Sequence, residues 1–367
     1  MERQPLFDNA KFAAVALVVC AHTWMPLLER NRTVGAVVLT IAAFSMPVFI
    51  VLCGYFSRPR TGRPQVDGGR LITQLVVPYL VFQLLYNLVG MALERDLQPI
   101  RLLEPRWLTW FLLSLLIWRL SVPLWTALRH PLPIAVLVAA GSGAVHAYPA
   151  ELALGRTLSF LPWFVLGLVL RPRHFELLRH RTVRALAPFG LLSAFATIWL
   201  AYPKLLNTAW VEYTETAAQL GVGYPVWLAV KAALGLLSLV AAASFLALLP
   251  AGRQRWTSLG AASLYVYLLH GLPLKLLQAS GVYHARSLQH SWTALPVYGG
   301  FALGLAVLLS LPVSVRLFGP LVQPPVGRLL LRRAPAPDAT PADRPAPRAG
   351  TAVPPPPGTP RPAPVRH

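Results

Sequence analysis

Apolar residues in this chain come in long runs, not in the short alternations of a soluble protein. Ten such runs can be drawn, over roughly 10–29, 34–56, 71–93, 107–126, 132–149, 154–170, 186–203, 224–249, 257–278 and 295–318. Most are long enough to cross the ~30 Å hydrocarbon core of a bilayer. Backbone N–H and C=O groups inside lipid must be paired within the segment, so each run is predicted to be a helix. The fifth and sixth are the weakest: Gly141, Gly143 and His146 interrupt one, and the other is short. The predicted fold class is therefore all-α, a polytopic transmembrane helical bundle of about ten spans. After Gln323 the pattern changes to Pro, Ala and Arg, as in Val353-Pro354-Pro355-Pro356-Pro357. That composition cannot bury enough apolar surface to fold. Residues 1–322 are thus expected to form the membrane domain, and 323–367 a disordered tail.

Composition agrees. The chain is 55% hydrophobic and 13% charged, about half the charge fraction of a soluble domain. A net charge of +20 would suit a nucleic-acid partner, but the arginines sit in short loops and the tail, with no stacking platform beside them. That excludes nucleic acid as the expected partner and leaves the lipid bilayer. Loops on the side of Lys11, with Arg58, Arg70, Arg119, Arg171 and Arg253, carry more cations than those holding Arg30, Arg95, Arg156 and Arg286. The positive-inside rule then places both termini in the cytoplasm of a multi-pass cell-membrane protein. The first apolar run carries His22 and Pro26 and no small-x-small cleavage site, so it reads as an uncleaved span. Cys20 and Cys53 form no metal spacing and no disulfide framework, and no metal is expected.

Chemistry enters through the polar residues inside the runs. Lys11 and His22 are eleven positions apart, which at about 100° per residue returns to nearly the same helix face. The rise of about 1.5 Å per residue separates them by roughly 16 Å, half the depth of the hydrocarbon core. A cation at the surface and an imidazole near mid-depth on one stripe is costly, and marks a candidate functional site. The plainer reading makes Lys11 an interfacial anchor and His22 a helix-packing residue. The second run favours function. Pro47 loosens it mid-membrane, and Gly54, Tyr55 and Arg58 bring a close-approach position and cations to the Lys11 surface. Such an arrangement suits a phosphate-bearing donor whose reactive end reaches into the membrane.

These residues also carry a family resemblance. Lys11, ten residues, His22, then Ser45-Met46-Pro47-Val48-Phe49 and Gly54-Tyr55-Phe56 resemble the acyltransferase-3 family of integral-membrane O-acyltransferases, its fucose 4-O-acetylase-like branch above all. Trp110-Phe111-Leu112, Leu161-Pro162-Trp163-Phe164 and Ser263-Leu264-Tyr265-Val266-Tyr267-Leu268-Leu269-His270 follow in the family's order. Two departures stand out. Cys53 replaces the usual Ser before Gly-Tyr, and the cation is Lys11, which holds a phosphate as a point charge without the fork of Arg.

The resemblance implies acyl transfer, acetyl being the acyl group expected, from cytoplasmic acyl-CoA (acetyl-CoA) to a hydroxyl of a sugar, envelope glycan or related small molecule. His22 would be the general base, since a neutral imidazole suits proton removal near neutral pH. Lys11, Gly54, Tyr55 and Arg58 would hold the donor. Ser263, Tyr267 and His270 fall at i, i+4 and i+7, so Tyr267 and His270 would line the cavity, bind the acceptor or orient the base; an interhelical hydrogen bond is the plainer role for His270. Lys231 is expected to snorkel, with lining an acceptor path as the alternative; Tyr86, Asn87 and Trp110 are wall candidates for which packing is the plainer role. From another class, a transporter or flippase for a lipid-linked glycan would also use about ten spans with midplane polar groups. It would show a pair of corresponding broken helices, which the sequence does not display.

Overall fold

The computed structural model describes residues 4–59, 66–95, 99–205 and 207–326. Among these every regular element is helical. Six helices are long and apolar enough to cross a membrane unbroken. They are Pro5–Leu27, Arg32–Phe56, Gly68–Leu93, Arg181–Lys204, Tyr224–Leu248 and Ser291–Ser310. The chain is a multi-pass membrane protein. Leu137, Phe189, Leu200, Val313 and Leu317 are exposed on its outside, as lipid-facing apolar side chains should be.

The remaining four predicted spans are helical but not single long rods. Trp107–Leu120 and Pro131–Ser142 are short, and Thr257–Leu269 stops well before the predicted 278. Glu151–Ser159 and Leu161–Val169 bend by 54° at their junction. Proline and glycine explain the breaks. Pro123 follows the turn at Ser121, Gly143 caps Ser142, Pro162 starts the second half of the bent pair, and Gly271 and Pro273 open a new helix, Gly271–Ala279. A proline lacks the N–H that would continue the helix before it. The Pro/Arg-rich tail lies outside the described residues beyond Val326.

One helix is central. α1 (Pro5–Trp24) is buried on most of its circumference, with Ala10, Ala14, Val15 and Val19 wholly enclosed. It packs on α2 (Arg32–Phe56), on Thr257–Leu269 and on Ser291–Ser310. Asn31 starts α2 by accepting from the N–H groups of Thr33 and Val34, both at 3.1 Å. At its far end α2 crosses Leu161–Val169 at two glycines. A Cβ on Gly54 would strike the carbonyl of Phe164, and one on Gly167 would strike that of Val51. Small residues let two backbones touch where lipid offers no hydrophobic drive for association.

Gly167→Val is expected to drive this crossing apart, because the obstructing atoms are backbone and cannot move aside. Size-exclusion profiles of detergent-extracted protein should show loss of the monodisperse peak. Gly304→Ala, where a Cβ meets nothing, should keep it.

Candidate active site

His22 lies on α1, two residues before its end, and half-buried. Its Nδ1 stands 3.0 Å from Nε2 of His270, with the two rings only 7° from coplanar. His270 is fully buried at the break between Thr257–Leu269 and Gly271–Ala279. Its own Nδ1 lies 2.8 Å from the carbonyl of Val266. The break is held in place from behind. Tyr86 donates to the carbonyl of Leu268 at 2.7 Å, and the Tyr86 and Trp107 side chains press so close that only glycine fits at 271.

With both rings neutral, this chain of contacts admits a single proton arrangement. The Val266 carbonyl can only accept, so Nδ1 of His270 carries its hydrogen and Nε2 its lone pair. Nδ1 of His22 must then donate to that lone pair, which leaves Nε2 of His22 unprotonated. His270 is therefore a buried partner of His22 and does not line the cavity, unlike one of the roles expected for it. The free Nε2 is the atom that can take a proton.

Two neighbouring cavities open along α1, and His22 lines one of them. The first, about 120 Å³, is lined by His22, Ser45, Trp107, Trp110, Arg156, Phe160, Glu212 and others. The second, about 290 Å³, extends towards the start of α1 and is lined by Lys11, Phe49, Cys53, Phe56, Phe111, Arg119 and Ser263 among others. Val18, Met46 and Tyr267 line both, so the two spaces share one neck. The Tyr267 hydroxyl donates to the Leu108 carbonyl, which fixes its ring in that neck.

The His22 cavity is walled by aromatics and one ion pair. Arg156 pairs with Glu212, and its guanidinium lies 5.1 Å from the centroid of the Trp110 ring. Trp107 sits 5.6 Å from His22, ring to ring, and adopts φ 52°, a left-handed conformation that is costly for a bulky residue. Glu212 belongs to the short turn Ala209–Glu212, and Lys231 secures that turn. The Lys231 ammonium donates to the carbonyl of Trp210 at 2.8 Å and lies 4.1 Å from the Tyr213 ring centroid. Lys231 is buried, and so does not snorkel as expected: backbone carbonyls and an aromatic face satisfy its charge where it stands. Lys231→Met should deprive the Trp210 carbonyl of this donor, at a cost of about 1–3 kcal/mol. A lowered midpoint of thermal unfolding in detergent would register it.

Other expected site residues fall elsewhere. Gly54 serves the helix crossing. Tyr55 is buried against Phe7 and Phe175, with ring centroids 5.2 and 5.1 Å away. Arg58 donates through Nε to the Leu168 carbonyl at 2.9 Å and covers the Tyr55 ring. None of the three lines either cavity. Lys11 does, 3.4 Å from Asp8 and 4.9 Å from the Phe56 ring centroid. No group of three or more His, Cys, Asp or Glu side chains placed to hold a metal occurs among the described residues. Arg156, Glu212 and Arg119 also line the cavities. The sequence shows Arg156 and Arg119 only as loop-end cations, and nothing in it ties Glu212 to Arg156.

Residues 5–311 match the acyltransferase-3 family, described as an acyltransferase domain. The match spans most of the chain, and the protein belongs to that family. It is a membrane acyltransferase. No curated protein and no solved structure matches it.

Proposed function

We propose that this chain is an O-acyltransferase of the cell membrane. It moves an acyl group, acetyl first among candidates, from acyl-CoA to a hydroxyl of a sugar, envelope glycan or related small molecule. The observation that carries this reading is the placing of His22 in the wall of one of two cavities that share a neck, its Nε2 freed by the bond to His270. One substrate can approach from the Lys11 side and the other from the Arg156 side. Loop charges put the Lys11 side and both termini in the cytoplasm, where acyl-CoA is made. Lys11 holds the donor's negative end. The aromatic walls and the Arg156–Glu212 pair suit a hydroxyl-rich acceptor, which needs both apolar faces and polar anchors.

The reaction then runs as one proton transfer and one acyl transfer. Nε2 of His22 takes the acceptor hydroxyl's proton as its oxygen attacks the thioester carbonyl. The tetrahedral intermediate collapses by breaking the C–S bond. The imidazolium returns its proton to the departing thiolate, giving the ester and free CoA thiol. While His22 carries both protons, His270 still accepts from its Nδ1 and stabilises the charge, as the orienting carboxylate of a catalytic triad does.

The test compares a deletion strain complemented by wild type or by His22→Ala at matched membrane expression. O-acyl esters are measured across glycans and small metabolites. Loss of one ester class in the deletion and mutant strains supports the reading and names the acceptor pool. An identical ester profile in all three strains contradicts it.

A further inference from the structure

Arg119 stands in the last turn of Trp107–Leu120 and lines the Lys11 cavity. Its Nε is buried and has no hydrogen-bond partner among the described residues. A guanidinium N–H removed from water without a partner is costly. The helix C-terminus favours a cation in that turn, but the helix dipole gives no acceptor to this atom. The rest of the cavity lining explains what does. Lys11 and Arg119 are its two charged residues, and no carboxylate lines it: Asp8, which pairs with Lys11, lies outside the lining. The other walls are apolar or aromatic, apart from Cys53, Ser263 and Tyr267. Such a space takes a molecule with a multiply charged anionic end and a slim arm.

The arm's length follows from α1. Lys11 and His22 are separated by roughly 16 Å along the helix axis, and the neck at Val18, Met46 and Tyr267 lies between them. A ligand anchored at Lys11 and Arg119 must reach His22 through a long linear chain. The pantetheine arm, with a phosphate at one end and a thioester at the other, has that form.

We propose that Arg119 binds a donor phosphate together with Lys11, and that the phosphate at the head of the pantetheine arm, more than the nucleotide beyond it, is what this cavity recognises. The inference rests on the acyl-transfer reading and adds to it a donor-binding residue and the part of the donor that is read. The planar fork of Arg119 supplies the directed bonds that Lys11, a point charge, cannot.

The experiment uses the full chain in nanodiscs and three donors with the same acyl group: acyl-CoA, acyl-phosphopantetheine, and acyl-pantetheine, which lacks phosphate. Thiol release is followed for wild type, Arg119→Gln and Arg119→Lys. Wild type should use the two phosphate-bearing donors with similar KM and acyl-pantetheine with a much higher one. Arg119→Gln should raise KM for both phosphate-bearing donors by about tenfold to a hundredfold and leave acyl-pantetheine unchanged. Arg119→Lys should fall between. An equal loss on all three donors would make Arg119 structural and overturn the proposal. So would a loss that follows the anionic-lipid content of the nanodisc, which would mean that Arg119 holds a lipid phosphate. If wild type turns over acyl-CoA and Arg119→Gln keeps the full preference for phosphate, the inference fails alone. If wild type neither binds nor turns over acyl-CoA, the acyl-transfer reading fails and takes the inference with it.

Discussion

His22→Ala should remove acyl transfer while leaving the protein folded and able to bind acyl-CoA. Loss of a general base costs about 10²–10⁴-fold in rate, and no second imidazole or unpaired carboxylate lines the two cavities to replace it. Glu212 is engaged by Arg156, and His270 is fully buried with its lone pair turned to His22. On the proposed reading the donor's charged end sits at Lys11, roughly 16 Å from His22, so KM for acyl-CoA should barely move. Turnover and donor binding measured on the same preparation check both halves. A variant that loses donor binding as well would show that His22 shapes the site and does not act chemically.

The second large effect is expected at His270. His270→Ala leaves Nδ1–H of His22 without its acceptor, so the ring is free to adopt the other tautomer or rotate. The turnover number should fall on the order of 10²-fold, with KM for the donor unchanged. Loss of an orienting carboxylate in a catalytic triad costs more, and a neutral ring stabilises the imidazolium less than a charge does. His270→Gln places an amide oxygen near the former Nε2 and should recover most of the loss. A purely structural histidine would give no such rescue. Equal impairment of the Ala and Gln variants, with unfolding midpoints lowered alike, would contradict the positioning role.

The sequence makes some of this legible because the information lies along one helix at a time. Runs of apolar residues locate the six long spans, and the eleven-residue interval puts Lys11 and His22 on one face before any packing is known. Tyr267 and His270 are likewise singled out by spacing. What one helix cannot report is its partner. The bond from His22 to His270 joins residues 248 positions apart, and Arg156 meets Glu212 across 56. Read alone, Arg119 is a loop-end cation and Lys231 a snorkelling one; only the packed bundle leaves Nε of the first unpartnered and brings two carbonyls to the second. In the sequence alone, Gly54 reads as a ligand approach because a glycine before arginines is compatible with one. The crossing helix that occupies its open side lies more than a hundred residues later. The short and bent segments have a local cause, and Pro162, Gly271 and Pro273 mark them in the sequence once proline is weighed as a break inside an apolar run.

The central claim is that His22, set in its tautomer by His270, transfers a proton between two substrates that approach from opposite sides. The most direct measurement uses sealed proteoliposomes with the acceptor pool supplied on one face and labelled acyl-CoA on the other. Label in the acceptor is counted for wild type, His22→Ala and His270→Gln. The account predicts ester formation by wild type only when acyl-CoA is on the Lys11 face. His270→Gln should retain most of it, and His22→Ala should give none despite binding the donor. Ester formation by His22→Ala at the wild-type rate would contradict it.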